Sequence, residues 1–259
     1  MFNKDWRIIE EDIKIFIKKT VLEAGFNKVV VGLSGGIDSA TVSYLCAKAL
    51  GRENVIPVIL PHGQLHKYHK DDAYLVIKKL GIPKKNIYEI NIQKAVDAIA
   101  RYDKHIDQIR KGNIMSRVRM IYLYDIAKKH KALVCGTENK TEYLLGYFTR
   151  HGDEAADLEP IRHLYKAEVF RLAQMYLGVP EEFLVKSPSA GLWEGQTDEE
   201  EFGFSYEDAD KILYLKFDKK LSEVEIINTS GIDKTIVKKI LTRVAENSFK
   251  HEVPKVLDH

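Results

Sequence analysis

Val29-Val30-Val31-Gly32-Leu33-Ser34-Gly35-Gly36-Ile37-Asp38-Ser39 passes from an apolar strand pattern through a glycine turn into the helical stretch Ala40-Thr41-Val42-Ser43-Tyr44-Leu45. A buried strand that delivers such a turn to a helix start leaves several backbone N–H groups without helical partners. They point at one spot, where the helix dipole also favours an anion. Gly35 and Gly36 let the backbone approach a phosphate closely, and Ser34 and Ser39 add hydroxyl donors. Asp38 is then out of place unless a divalent metal stands between its carboxylate and the phosphate. Neither G-x-x-x-x-G-K-[ST] nor G-x-G-x-x-G occurs here, which removes the two commonest nucleotide loops.

Outward from this turn, strand and helix periods alternate. The spacing predicts a helix over 6–23, a strand at 28–33, helix 38–50, strand 55–60, helix 71–80, strand 87–90, helix 92–100, a longer helix 113–130 and a strand at 132–136. Single helices between short strands mean parallel crossovers. The expected fold is α/β, a doubly wound, mostly parallel sheet flanked by helices, whose ligands lie beyond the carboxyl ends of the strands. Further helices are expected at 165–177, 206–217 and 233–249, the last two packing on the core and closing the site.

Composition bounds the function. A chain of 259 residues with 45% hydrophobic content buries a full core, and its formal net charge of +2 predicts no field that steers nucleic acid. No apolar window reaches membrane-spanning length and residues 1–6 carry no signal region, so a cytoplasmic protein without membrane contact is expected. Cys46 and Cys135 stand apart in apolar segments and read as buried free thiols rather than a disulfide or a metal pair. A second polar constellation follows the 132–136 strand: Gly136-Thr137-Glu138-Asn139-Lys140-Thr141-Glu142, then Gly146-Tyr147-Phe148-Thr149-Arg150-His151-Gly152-Asp153 and Asp157-Leu158-Glu159-Pro160. It reads as a site loop with two aromatics suited to stacking on a planar ring; a solvated surface loop is the alternative.

The phosphate turn S-G-G-I-D-S is similar to the PP-loop of the ATP pyrophosphatases, which carry an adenine nucleotide alpha hydrolase-like, Rossmann-like fold. With G-N-I-M-S-R-V-R-M at 112–120, G-T-E-N-K-T-E at 136–142, G-Y-F-T-R-H-G-D at 146–153 and S-A-G-L-W-E-G-Q-T-D-E at 189–199, the chain from Trp6 to Pro254 resembles the ammonia-dependent NAD synthetases. That resemblance implies a single synthetase domain over 1–259, no glutamine amidohydrolase domain, and free ammonia as the nitrogen donor. It implies ATP on Gly32, Leu33, Ser34, Gly35, Gly36, Ile37, Asp38, Ser39, Thr137, Lys166 and Ser189, and Mg²⁺ on Asp38 and Glu142. Asp38 and Lys166 become the catalytic pair. Deamido-NAD falls to Asn113, Arg117, Arg150, Asp153, Asp157 and Lys250, and a homodimer is expected about the 113–130 helix. On residues alone, Arg117 and Arg119 also read as a solvated helix face, and Lys166 as an ordinary first-turn lysine.

The sequence departs from the family's text at Glu138, Thr141, Glu154-Ala155, Arg150 and Phe249. Loops at 63–70 and 194–203 are lid candidates, and His62, His66 and His69 lack the ligand set of a zinc site. A tRNA-modifying relative of the same loop predicts a basic surface and catalytic cysteines, which this chain lacks; a non-catalytic nucleotide sensor has no need of both Asp38 and Glu142.

Overall fold

The computed structural model describes residues 4–63, 67–184, 186, 189, 191–193, 195–252, 254 and 257, with backbone alone at 67–69. Its elements run α1 (Trp6–Glu23), β1 (Val29–Gly32), α2 (Ile37–Leu50), β2 (Val55–Ile59), α3 (Lys67–Leu80), β3 (Tyr88–Glu89), α4 (Gln93–Ala100), α5 (Gln108–His130) and β4 (Leu133–Cys135). Then follow α6 (Lys140–Leu145), α7 (Lys166–Leu172), α8 (Asp198–Phe202), α9 (Tyr206–Leu213), α10 (Glu223–Ser230) and α11 (Lys234–Asn247).

The sheet is parallel in the order β3-β2-β1-β4. Val30 of β1 pairs with Ile56 on one side and Val134 on the other. The chain therefore builds outward from β1 to β3 and returns to place β4 on the opposite flank. The direction reverses between β1 and β4, and the carboxyl ends of those two strands diverge into a crevice.

Alternation along β1 assigns its two faces. Val29 and Val31 pack into a core with Ile13 and Ile17 of α1, Val42 and Leu45 of α2, and Val169 and Leu172 of α7. Val30 turns the other way, into a core with Val96 of α4 and Met115, Val118 and Ile126 of α5. Strands buried on both faces read as continuous apolar runs, which is how the sequence writes them. A third core gathers Leu145 of α6 and Tyr165 with Phe202, Ile212, Ile226, Val237 and Ile240 from α8 to α11.

Several boundaries differ from the sequence reading. α5 starts at Gln108, where the Asp107 side chain accepts the Arg110 N–H at 2.8 Å; Gly112, which disguised that turn, lets Leu192 approach, since a Cβ there would lie 2.8 Å from its side chain. α7 gives way to a π-turn at Ala173–Leu177 instead of continuing as one α-helix. α10 had no counterpart in the reading, although Ser222 and Glu225 form its capping box. Cys46 and Cys135 are buried free thiols, as expected, but they do not stand apart: their sulfurs lie 3.6 Å from each other, joining α2 to β4.

Candidate active site

At the end of β1 the turn closes on its own hydroxyls. Ser39 Oγ donates to the Gly36 carbonyl (3.0 Å) and accepts the Ser34 N–H (3.2 Å), while Ser34 Oγ accepts the Gly36 N–H (3.2 Å). Gly35 takes φ +85°, a left-handed conformation that side chains rarely adopt. Gly36 caps α2 without a side-chain hydrogen bond, so the first N–H groups of the helix face the crevice.

β4 brings the second half. Asn139 caps α6, its side chain accepting the Glu142 N–H at 3.0 Å, and its amide donates to Asp38 Oδ1 at 3.0 Å. Across from it, Lys166 at the start of α7 sends its ammonium between two carboxylates, 2.5 Å from Asp38 Oδ2 and 3.2 Å from Glu142 Oε1. Burial opposes that charge, but Asp38 and Glu142 hold the lysine protonated, well above its ordinary range. Glu142 is raised by burial despite Lys166, and the nearby Asp38 adds to the rise. Two carboxylates converging on one cation beside a phosphate turn are a hard-oxygen donor set of the kind Mg²⁺ takes when phosphate and water complete its shell.

The spacing of this pair is set from α9. Asp210 accepts the Thr141 hydroxyl at 2.5 Å and the Ala167 N–H at 2.8 Å, and Thr141 Oγ1 accepts the Lys166 N–H at 2.9 Å. One buried carboxylate thus ties α6, which carries Glu142, to α7, which carries Lys166.

These parts line one cavity of about 470 Å³. The stretch Gly32 to Ser39, with Thr137, Glu142, Lys166, Ser189, Asn113, Asp153 and Lys250, borders it. Arg117, Arg150 and Asp157 do not. Arg117 and Arg150 lie outside, where the Arg117 side chain donates to the Arg150 carbonyl at 3.2 Å; Asp157 accepts the Val134 N–H at 2.7 Å and faces a second pocket.

Arg119, left by the reading as one of two solvated arginines, lines the cavity instead. It donates to the Leu60 carbonyl at 3.2 Å, and burial lowers it to about 10, still charged at neutral pH. Its signal was position: it lies three residues beyond Ser116, which also borders the cavity, on one face of α5. Asn139, Asp198 and Arg243 were missed as well. The aromatic pair is already engaged within the protein: Tyr147 packs edge-on against Phe202 and donates to Asp198 at 2.9 Å, while Phe148 stacks parallel to Tyr143. The 194–203 lid candidate forms, from Asp198, a helix anchored by buried Phe202. In the other lid candidate, His66 lies outside the described residues.

The NAD synthase family model matches residues 9–254 of this chain. The NH(3)-dependent NAD(+) synthetase of Pelodictyon phaeoclathratiforme is 42% identical over 252 residues, 97% of this chain and 89% of its own. Among solved structures, the NH3-dependent NAD synthetase from Campylobacter jejuni superposes with a TM-score of 0.83 at 33% identity, covering 98% of this chain and 100% of that one. The NMN synthetase from Francisella tularensis superposes with a TM-score of 0.86 at 32% identity, covering 99% and 100%.

Proposed function

The chain belongs to the NAD synthase family, and we propose that it amidates deamido-NAD with ammonia and ATP, yielding NAD, AMP and pyrophosphate. One convergence supports the reading above the rest: the β1–α2 phosphate turn, Asp38, Glu142 and Lys166 meet in a single cavity at the switch point of the sheet.

ATP phosphates rest on the turn, where the N–H groups at the start of α2 donate to them and Lys166 adds positive charge. The nicotinate carboxylate attacks the α-phosphorus, the bond to pyrophosphate breaks, and an acyl-adenylate forms. Ammonia then attacks the acyl carbon and AMP leaves. No protein nucleophile is required; the chain holds two anionic substrates in line and offsets their repulsion. Asp38 and Glu142 would hold Mg²⁺, which supplies charge neutralisation on the phosphates when bound. Asn113, Asp153 and Lys250, which line the same cavity, orient the pyridine nucleotide. Arg117, Arg150 and Asp157 reach it only from outside the cavity.

A homodimer is part of the same proposal. Of the apolar residues on α5, Met115 is buried against the sheet and Met120 and Leu123 line the cavity, as Ile109 does, but Ile121 is exposed and offers a contact surface. The whole chain acts as one synthetase unit in the cytoplasm, taking free ammonia. No helix among the described residues is long and apolar enough to cross a membrane.

The test is formation of AMP, pyrophosphate and NAD from deamido-NAD, ATP, Mg²⁺ and ammonium, with glutamine in a parallel reaction. Nicotinate mononucleotide is the comparison substrate, because one structural neighbour is named an NMN synthetase. Folded protein that forms no amide with any donor or acceptor would overturn the assignment.

A further inference from the structure

Six basic side chains line the main cavity among the described residues, and five of them are engaged within the protein. Lys166 lies between Asp38 and Glu142, while Lys70 and Lys186 pair with Glu89 and Asp72. Lys250 donates to the carbonyls of Gly146 and Phe148, and Arg243 lies over the rings of Phe202 and Tyr147 with Glu201 in its field. Behind the cavity wall, the Arg162 guanidinium is committed in the same way, 2.9 Å from Glu138 and 3.1 Å from Glu159. Arg119 differs. Its Nε donates to the Leu60 carbonyl, and it makes no ion pair and no other hydrogen bond among the described residues. A half-buried guanidinium at a cavity wall, with N–H groups to spare, calls for an anion from outside the chain.

What surrounds Arg119 narrows the choice of anion. It stands on α5 three residues beyond Ser116 and four before Leu123, so the three share one face of the helix, and all border the cavity. Leu123 reaches the phosphate turn, where a Cβ on Gly32 would sit 3.4 Å from its side chain. α2 and α7, which carry the donors for phosphate, pack on one face of the sheet, and α5 packs on the other. Arg119 therefore meets the phosphate turn across the strand ends, from the side that has no other phosphate donor assigned to it. Around it stand Leu60, Met120 and Leu123, a poor lining for a polyphosphate and a fitting one for a flat ring with a single carboxylate. Asp153, whose field reaches Arg119 and which borders the same cavity, complements the positive charge of a pyridinium ring.

We propose that Arg119 is the counter-ion of the nicotinate carboxylate and the residue by which the site tells the acid from its amide product; the inference rests on the amidation reading. Two parallel N–H donors of the guanidinium meet the two carboxylate oxygens. One oxygen attacks the α-phosphorus, forming the acyl O–P bond as the bond to pyrophosphate breaks. The other stays with Arg119 as the acyl oxygen. When ammonia adds to the acyl carbon, the carbonyl π pair moves onto that oxygen, where a fixed cation stabilises the developing charge. The pair returns as the C–O bond to AMP breaks, and the nitrogen releases one proton to solvent. The amide then turns an N–H donor toward the guanidinium where the acid offered an oxygen, which loosens the product.

The test compares Arg119→Gln and Arg119→Lys with the wild type, with a melting temperature for each. Binding of deamido-NAD and of NAD is measured by calorimetry, and kcat and the KM for ATP by AMP release. The wild type should bind deamido-NAD at least about tenfold more tightly than NAD. Arg119→Gln should weaken deamido-NAD about 30-fold while NAD and the KM for ATP move less than twofold, and kcat should fall about 10²-fold. Arg119→Lys should restore part of both losses. Equal weakening of deamido-NAD and NAD, a rise in the KM for ATP alone, or no change in a folded Gln variant would overturn the assignment. Equal wild-type affinity for acid and amide would overturn it without any variant. A folded wild type that releases no AMP from deamido-NAD, ATP and ammonium would instead fail the amidation reading itself.

Discussion

Two pairs of acids flank the end of β4, each sharing one basic side chain, and they differ in how completely they are satisfied. Asp38 and Glu142 hold Lys166 between them, with Asn139 donating to the one and capping the helix of the other. Glu138 and Glu159 share Arg162, and among the described residues both Glu138 oxygens and the Arg162 Nε go without a hydrogen-bond partner. The charge count is the same in both. The first pair is closed by its own lysine and opens toward a cavity, so a divalent ion and phosphates can enter the arrangement. The second is sealed against a glycine and holds its acids at raised pKa, a store of proton affinity. Neighbouring residues of one loop thus serve opposite electrostatic ends, decided by which side of the strand each faces.

The largest expected effect breaks the first pair. Asp38→Asn should lower kcat for NAD formation by about 10²–10³-fold while leaving the fold intact. Turnover within tenfold of wild type would remove Asp38 from the catalytic set. Lys166→Met leaves two buried carboxylates facing each other and should destabilise the protein by about 3–5 kcal/mol by denaturant unfolding. Added Mg²⁺ should then raise the melting temperature of this variant more than that of wild type; an equal response would mean that the two carboxylates do not share an ion.

At the second pair, Gly136→Ala drives a methyl group into Glu159 and should cost about 1–3 kcal/mol, and less in a Glu159→Ala background. Additive losses would show that the contact is not the cause. The pH dependence follows from the raised carboxylates. In the unfolded chain they ionise near 4.5, and in the folded protein not until about 8 and about 9. Between those limits the folded state binds more protons, so this contribution to stability falls as pH rises. The melting temperature should therefore drop from pH 5 to 8.5, and the Glu138→Gln, Glu159→Gln double variant should flatten the curve; an unchanged slope would contradict the burial of these charges. The smallest effect is expected at the exposed Arg110–Asp103 pair, where Arg110→Ala should leave the melting temperature unmoved.

The sheet was legible because its two central strands β1 and β2 are apolar on both faces and the crossover helices keep their period, so Val29–Val31 and Val55–Ile59 announced themselves. Helix ends were less so: the glycine within α5 reads as a break until Leu192 is seen against it. In the site, the contiguous phosphate turn could be read from residues 34–39 alone, since backbone donors at a helix start are a local property. Arg119 could not, because its helix has polar residues on more than one side and only packing decides which face the cavity. Glu138 and Glu159 escaped for a related reason. They are separated along the chain and meet only through the bridge between Cys135 and Leu158.

Asp210 gives the chain's last third a say in its chemistry. Because that one carboxylate fastens Thr141 and Ala167 together, the gap between Glu142 and Lys166 is gauged by a helix that carries neither of them. A fault introduced well over a hundred positions beyond the phosphate turn, outside the sequence blocks that resemble the family, can mis-set the gap between Glu142 and Lys166. Variants there should be scored by turnover as well as by folding, since distance along the chain is a poor measure of distance from the reaction.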